Sequence, residues 1–257
     1  LDQSVGLEPN TSDEYYWLGR AYGELAQKTN IFKQASYASN SHKYLQMAVD
    51  TDPKSVEALR GLFFFYVVAP GIVGGGIDKA ERTLSDIRKL SPVDADIEQL
   101  ILFDKKEEHE KQLSHAKFLV TTYPNSAEAL FRSAQIFRNQ QKLDSAINAF
   151  ELASKLPITA QNRMYVEASI FQFGETCQWA NVRTEDAIES LEKYMAIKTE
   201  VKKAESNLLR WTLAKLYYQK GDMEKYQSLR KQLEPAFIKQ QWVKDDFERF
   251  DKHDKKS

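Results

Sequence analysis

Few residues in this 257-residue chain have the types that could do chemistry. The run Gly71-Ile-Val-Gly-Gly-Gly76 precedes a helical pattern that starts near Ile77, as a phosphate-cradling loop would. Such a loop needs Lys and then Ser or Thr directly after its last glycine, and here Ile77 and Asp78 follow. The Asp78 carboxylate suits a helix N-terminus and would repel a phosphate placed there. The run therefore reads as an elongated turn between helices, with a ligand or partner loop as the alternative. His109 and His115 stand among Glu107, Glu108 and Glu110. A helical zinc pair needs a spacing of four; six sets the two rings about 240° apart, and the pair reads as part of a solvated, charged helix. Cys177 is the only cysteine, which excludes an internal disulfide framework and a cysteine-rich metal cluster. It reads as a loop residue beside Trp179, with no histidine nearby in sequence and none of the electropositive setting that an attacking thiol needs. There is no Gly-x-Ser-x-Gly elbow. The chain has four histidines, so a triad assembled in space stays open, but no residue points to one. The chain reads as a non-enzyme with no catalytic residue, no cofactor and no metal.

The charge balance narrows the partners. Lys and Arg total 36 and Asp and Glu total 37, a net charge of −1. Nucleic acid and anionic lipid normally demand a basic excess, so no nucleic acid partner is expected. The longest apolar run, Leu62 to Ala69, is eight residues, far short of the ~20 that span a bilayer. The run Asp104 to Lys111 alternates in sign and reads as solvated surface.

These residues must be positioned by helices. Ala, Leu, Lys, Gln and Glu are abundant, prolines number seven, and alternating Val/Ile/Thr runs are absent. Pro9, Pro53, Pro92, Pro124 and Pro157 are separated by 44, 39, 32 and 33 residues, a repeat spacing. Proline ends one helical unit and is tolerated in the first turn of the next. The unit is clearest from Ala127 to Pro157. Leu130, Ser133, Ala134 and Phe137 mark one helical face, a polar turn follows at Asn139 to Lys142, and Leu143, Ala146, Ile147, Phe150 and Ala153 mark a second. Ala134 and Ala146 sit where two antiparallel helices would cross closely. This pattern resembles the tetratricopeptide repeat. Tyr15, Leu18, Gly19 and Tyr22 repeat it, as do Leu213, Ala214, Tyr217 and Gly221, with Tyr226 where a small residue is usual. About ten residues are inserted near Lys28 to Ser39, and an extra five fall in the loop Ala69 to Gly76. The units around 95–124 and 161–199 are degraded.

The resemblance implies an all-α, right-handed solenoid of about six antiparallel hairpins with a concave inner face. A lone hairpin exposes both flanks and cannot bury enough surface, so neighbours must share the stability. The expected layout is a single domain over 1–250, with units near 10–53, 54–92, 93–124, 125–157, 158–199 and 200–234. A capping helix follows at 235–250, with Phe237, Ile238, Trp242, Phe247 and Phe250 on its apolar positions, and then a charged disordered tail at 251–257. Ser4 to Pro9 read as the end of a preceding helix, and the absence of an initial Met is expected of a processed or trimmed chain.

The resemblance also implies a protein or peptide partner on the inner face of the first helices. That face would include Tyr16, Trp17, Arg20, Arg60, Phe64, Phe131, Arg132, Gln135, Arg138, Trp211, Lys215 and Tyr218. Trp, Tyr and Arg dominate binding hot spots, although rings at these places also pack between hairpins. The clamp with which some family members hold chaperone tails needs asparagines that the corresponding faces lack. The leading reading is a non-catalytic scaffold or adaptor holding a peptide or partner helix. The alternatives are a self-assembling or subunit-bridging component of an envelope complex, including a homo-oligomer, and an enzyme built on Cys177 or the His109/His115 region. Pro70 to Ala80 resembles a bacterial subgroup whose members carry an export signal, which implies an exported or periplasmic location, with the cytoplasm as the alternative.

Overall fold

A computed structural model describes residues 10–197 and 203–254. The expected helix end at Ser4 to Pro9, the end of the fifth unit at Thr199, the Phe250 side chain and the last three tail residues lie outside the described residues. The chain divides into two compact units, 1–119 and 120–257.

The first unit contains α1 (Ser12–Lys28), α2 (Ile31–Thr51), α3 (Val56–Val68), α4 (Ile77–Leu90), α5 (Pro92–Lys105) and α6 (His109–Thr122), with a 3-10 turn at Gly71–Val73. Helix starts follow local chemistry. Thr11 and Glu14 form a capping box on α1, Asn30 caps α2, Ser55 caps α3, and Pro92 occupies the first turn of α5. Each cap satisfies a donor that the helix itself cannot. The ten residues inserted near Lys28 to Ser39 are mostly helical, because the cap at Asn30 starts α2 at Ile31. The insertion lengthens α2 to 21 residues against 17 for α1.

Helices α1 and α2 cross at Gly19, where a Cβ would lie 2.8 Å from Leu45 Cγ. The core of this unit is continuous across Leu45, Ala48, Leu59, Leu62, Phe63, Leu84 and Ile87. The glycine run is the turn between α3 and α4. At Gly75 a Cβ would sit 1.8 Å from the Ala69 carbonyl oxygen, so only glycine fits. His115 departs from expectation. Its Nε2 is 2.8 Å from the Asp96 carbonyl, and its ring lies against Phe103 and Phe118, because α6 folds back on α5 rather than standing alone in solvent.

The second unit contains α7 (Ala127–Asn139), α8 (Leu143–Ser154), α9 (Arg163–Ala180), α10 (Thr184–Ile197), α11 (Lys203–Lys220) and α12 (Met223–Lys231), then α13 (Pro235–Ile238) and α14 (Gln241–Asp254). Ala134 and Ala146 are fully buried at the helix crossing that their size allows. Tyr226 is also buried, filling the small-residue position by packing against Tyr218 and Trp211. Two expectations change. Cys177 lies inside α9, which runs on until Asn181 takes a left-handed C-cap. The last helix breaks between Ile238 and Gln241, and α14 continues to Asp254, four residues past the expected boundary.

Candidate functional site

In the first unit the row of first helices is α1, α3, α5, with α3 touching both others. Gly61 lets α3 approach Tyr16, since a Cβ there would lie 2.8 Å from the ring. Tyr16 is therefore buried beneath the row and is not an open contact. Its neighbour Trp17 projects outward and is 57% exposed. The Arg20 guanidinium lies 5.0 Å from the Trp17 ring and 5.7 Å from the Tyr16 ring. Burial pushes the Tyr16 hydroxyl pKa up, with Arg20 opposing and Glu57 reinforcing the shift. Arg20 is exposed and forms no ion pair among the described residues. Phe64, 45% exposed, and Val68 lie one helical turn apart on α3.

Arg60 is used differently. Its Nε donates to Glu98 at 2.7 Å and its Nη1 to Asp94 at 2.9 Å, which ties α3 to α5. Ser91 Oγ donates to the second Asp94 oxygen at 2.6 Å and orients that carboxylate. A guanidinium sharing two carboxylates has little left for a ligand.

The second unit repeats the clasp twice. Arg138 on α7 reaches Glu175 on α9 at 3.0 Å and also donates to Gln172. Its guanidinium is held between the Phe150 and Trp179 rings. Burial pushes the Glu175 carboxyl above its ordinary pKa, against the attraction of Arg138 and Lys215. Lys215 on α11 reaches Asp246 on α14 at 3.6 Å. Phe131 is half-buried between Phe150 and Tyr165. Arg132 lies over Tyr165 at 5.9 Å and 3.7 Å from Glu128, and Gln135 is half-buried beside them.

Trp211, a candidate for groove exposure, is 0% exposed. Helix α14 covers it: Phe247 meets the indole edge-on at 4.8 Å, and the indole N–H donates to Asp246 at 3.2 Å. Tyr218 is engaged by Tyr226. Of the twelve sequence candidates, the structure leaves Trp17, Arg20 and Phe64 outward and unclasped in the first unit, and engages the basic residues Arg60, Arg138 and Lys215 between helices.

Val68 and Trp179 are not among the groove residues expected from the sequence. Trp179 is exposed under Arg138 because α9 is one turn longer than the degraded repeat suggested. The helix-stop signal at Asn181 could have placed it. An open cleft of about 550 Å³ runs along α9, lined by Met164, Ala168, Phe171, Gln172 and Tyr194, with the Arg163–Glu167 ion pair at its edge.

Burial pushes the Cys177 thiol up to about 12, so it stays protonated at neutral pH and is a poor nucleophile. No group of three or more metal-ligating side chains converges among the described residues. No helix among them is long and apolar enough to cross a membrane.

No family model matches the sequence, and no curated protein matches it. Solved structures do. PilW, a widely conserved type IV pilus biogenesis factor, superposes with a TM-score of 0.54 at 14% identity, covering 89% of this chain and 98% of its own. The pilF protein of Pseudomonas aeruginosa gives 0.56 at 12% identity, covering 93% and 99%. BtubC of P. vanneervenii gives 0.55 at 16% identity, covering 78% and 88%. PilW and pilF are tetratricopeptide proteins, and the likeness shows the fold: the chain is an all-α, tetratricopeptide-type stack of helical hairpins.

Proposed function

We propose that this tetratricopeptide-type chain is a non-catalytic protein-interaction scaffold whose principal contact is the first-helix face of its first unit. One contrast carries the reading. Arg60, Arg138 and Lys215 are spent tying one helix to the next, whereas Arg20 forms no ion pair among the described residues and lies against Tyr16 and the exposed Trp17 indole. A guanidinium held by a ring loses less freedom when it binds a carboxylate. Phe64 and Val68 offer an apolar surface on the neighbouring helix. The fitting partner is a peptide or helix that places a carboxylate beside an apolar side chain. The likeness to PilW and pilF supports the scaffold class through the fold.

The test is a peptide-array screen with arrays varied in acidic and apolar content, repeated with Trp17→Ala and Arg20→Ala. Each variant should lose ~1–3 kcal/mol of binding while keeping its helicity. Binding that survives both substitutions would refute the assignment.

A second reading, self-assembly or subunit bridging in an envelope complex, draws on Ile72, which is 94% exposed at the glycine turn. Sedimentation velocity separates the two, since a monomer at high concentration opposes self-assembly. An exported or periplasmic location remains part of the proposal, supported by the Pro70 to Ala80 resemblance, with the cytoplasm as the alternative.

A further inference from the structure

We propose that His42 is a pH-sensitive latch on the glycine turn between α3 and α4. The ring of His42, on α2, stacks on Phe65 of α3 at 5.0 Å. Its Nε2 is 3.3 Å from the Tyr66 hydroxyl, and that hydroxyl donates to Gln46 Oε1 at 3.4 Å. The Nδ1 edge faces Gly74, where a Cβ would lie 3.1 Å from the nitrogen. The imidazole thus fills the gap between two helices and a backbone that carries no side chain of its own.

The turn is a dense knot of backbone bonds. Gly74 N–H donates to Gly71 O, Gly75 N–H to Pro70 O, and Gly76 N–H to Tyr66 O at 2.9 Å. The last bond ties the turn to the final turns of α3. Lys79, on α4, completes the arrangement: its Nζ donates to the Gly74 carbonyl at 2.8 Å and lies over the Tyr66 ring at 5.6 Å.

Protonating His42 places a second cation beside that ammonium. The charged groups around the pocket do not offset it evenly. Lys79 acts on His42 directly, while Arg82 on α4 and Asp50 on α2 act on Tyr66 with opposite signs. Burial first and Lys79 second hold the His42 pKa below its ordinary value. The fold therefore favours the neutral ring. The latch is whole above the ordinary histidine pKa of about 6.5 and weakens as pH falls below it toward the lower folded-state value. Histidine is the side chain suited to such a change near physiological pH.

Opening the turn frees its bond to Tyr66 and loosens the end of α3, which carries Val68. That consequence for partner binding rests on the proposed contact face; the latch itself does not, and its test needs no partner.

Amide exchange at residues 74–76, corrected for intrinsic rates, is followed from about pH 7.5 to about pH 5 in the whole chain. Protection should fall at least about threefold in the wild type and stay level in His42→Phe, which keeps the stacking but cannot take a proton. An equal fall in His42→Phe, or no fall in the wild type, would overturn the latch. An NMR titration of the His42 ring in the wild type covers the case in which the variant fails to fold. It should give a pKa below the ordinary histidine value, and Lys79→Gln should raise it; a wild-type value at or above the ordinary one would also overturn the proposal.

Discussion

Replacing Arg138 with Ala separates a helix clasp from a binding residue. The Arg138 and Glu175 side chains are only 16% and 12% exposed, so solvent screens their interaction weakly. Removing one partner of a buried pair costs ~3–5 kcal/mol, because the other charge stays buried and uncompensated. Lys215 still attracts Glu175 and offsets part of that, while the lost contacts with Phe150 and Trp179 add about 0.5–1 kcal/mol each. The net expectation is a loss of about 3 kcal/mol in urea unfolding of the second unit. Glu175→Gln behaves differently. It removes the charge that burial penalises and leaves Arg138 an amide oxygen and Gln172 to bond, so its loss should be smaller than that of Arg138→Ala.

The pH dependence has a fixed sign. A carboxyl whose folded pKa is raised holds its proton more tightly when folded, so its ionisation works against the fold. Acidification through the carboxylate range should therefore improve wild type relative to Glu175→Gln. An Arg138→Ala loss below about 0.5 kcal/mol, or a Glu175→Gln loss exceeding it, would refute the clasp argument.

Other expectations follow from local geometry. Gly75→Ala would drive its Cβ into the Ala69 carbonyl and should cost at least ~2 kcal/mol in thermal unfolding of the first unit. A thiol reagent should leave Cys177 untouched in the native chain and label it completely in denaturant, given its burial and raised pKa. The Arg183 guanidinium, with Lys155 helping, holds the Glu151 carboxyl down to about 2. The ion pair between α8 and Arg183 should therefore contribute stability above the ordinary carboxylate pKa and lose it as pH falls toward about 2, an acid sensitivity that Arg183→Gln should flatten.

The hairpins were legible because their signals are local. Prolines, caps and small residues act within a few positions, and the proline spacing located the connections after α2, α6 and α8. The sequence shows the insertion but not its form, because helical propensity has no gap between residues 31 and 51 that separates an inserted segment from a continuing helix. The candidate site was legible only as a face. Whether a basic residue on that face is free depends on residues 34 to 38 positions away, as with Arg60 and Asp94 or Glu98 and Arg138 and Glu175. No periodicity within a single helix reports such a pair. In the register that aligns Gly19 with Ala214 and Tyr22 with Tyr217, Trp211 falls at the place of Tyr16, one residue before Trp17, and both Tyr16 and Trp211 are buried. That register already puts Trp211 on the packed side, and α14 closes over it through Phe247.

The most direct measurement is hydrogen exchange across the whole chain with and without the tightest peptide from the acidic–apolar array. The account predicts added protection in 13–24 and 57–68 and none in 128–138 or 211–218. Protection centred on 211–218, with the first unit unchanged, would contradict it.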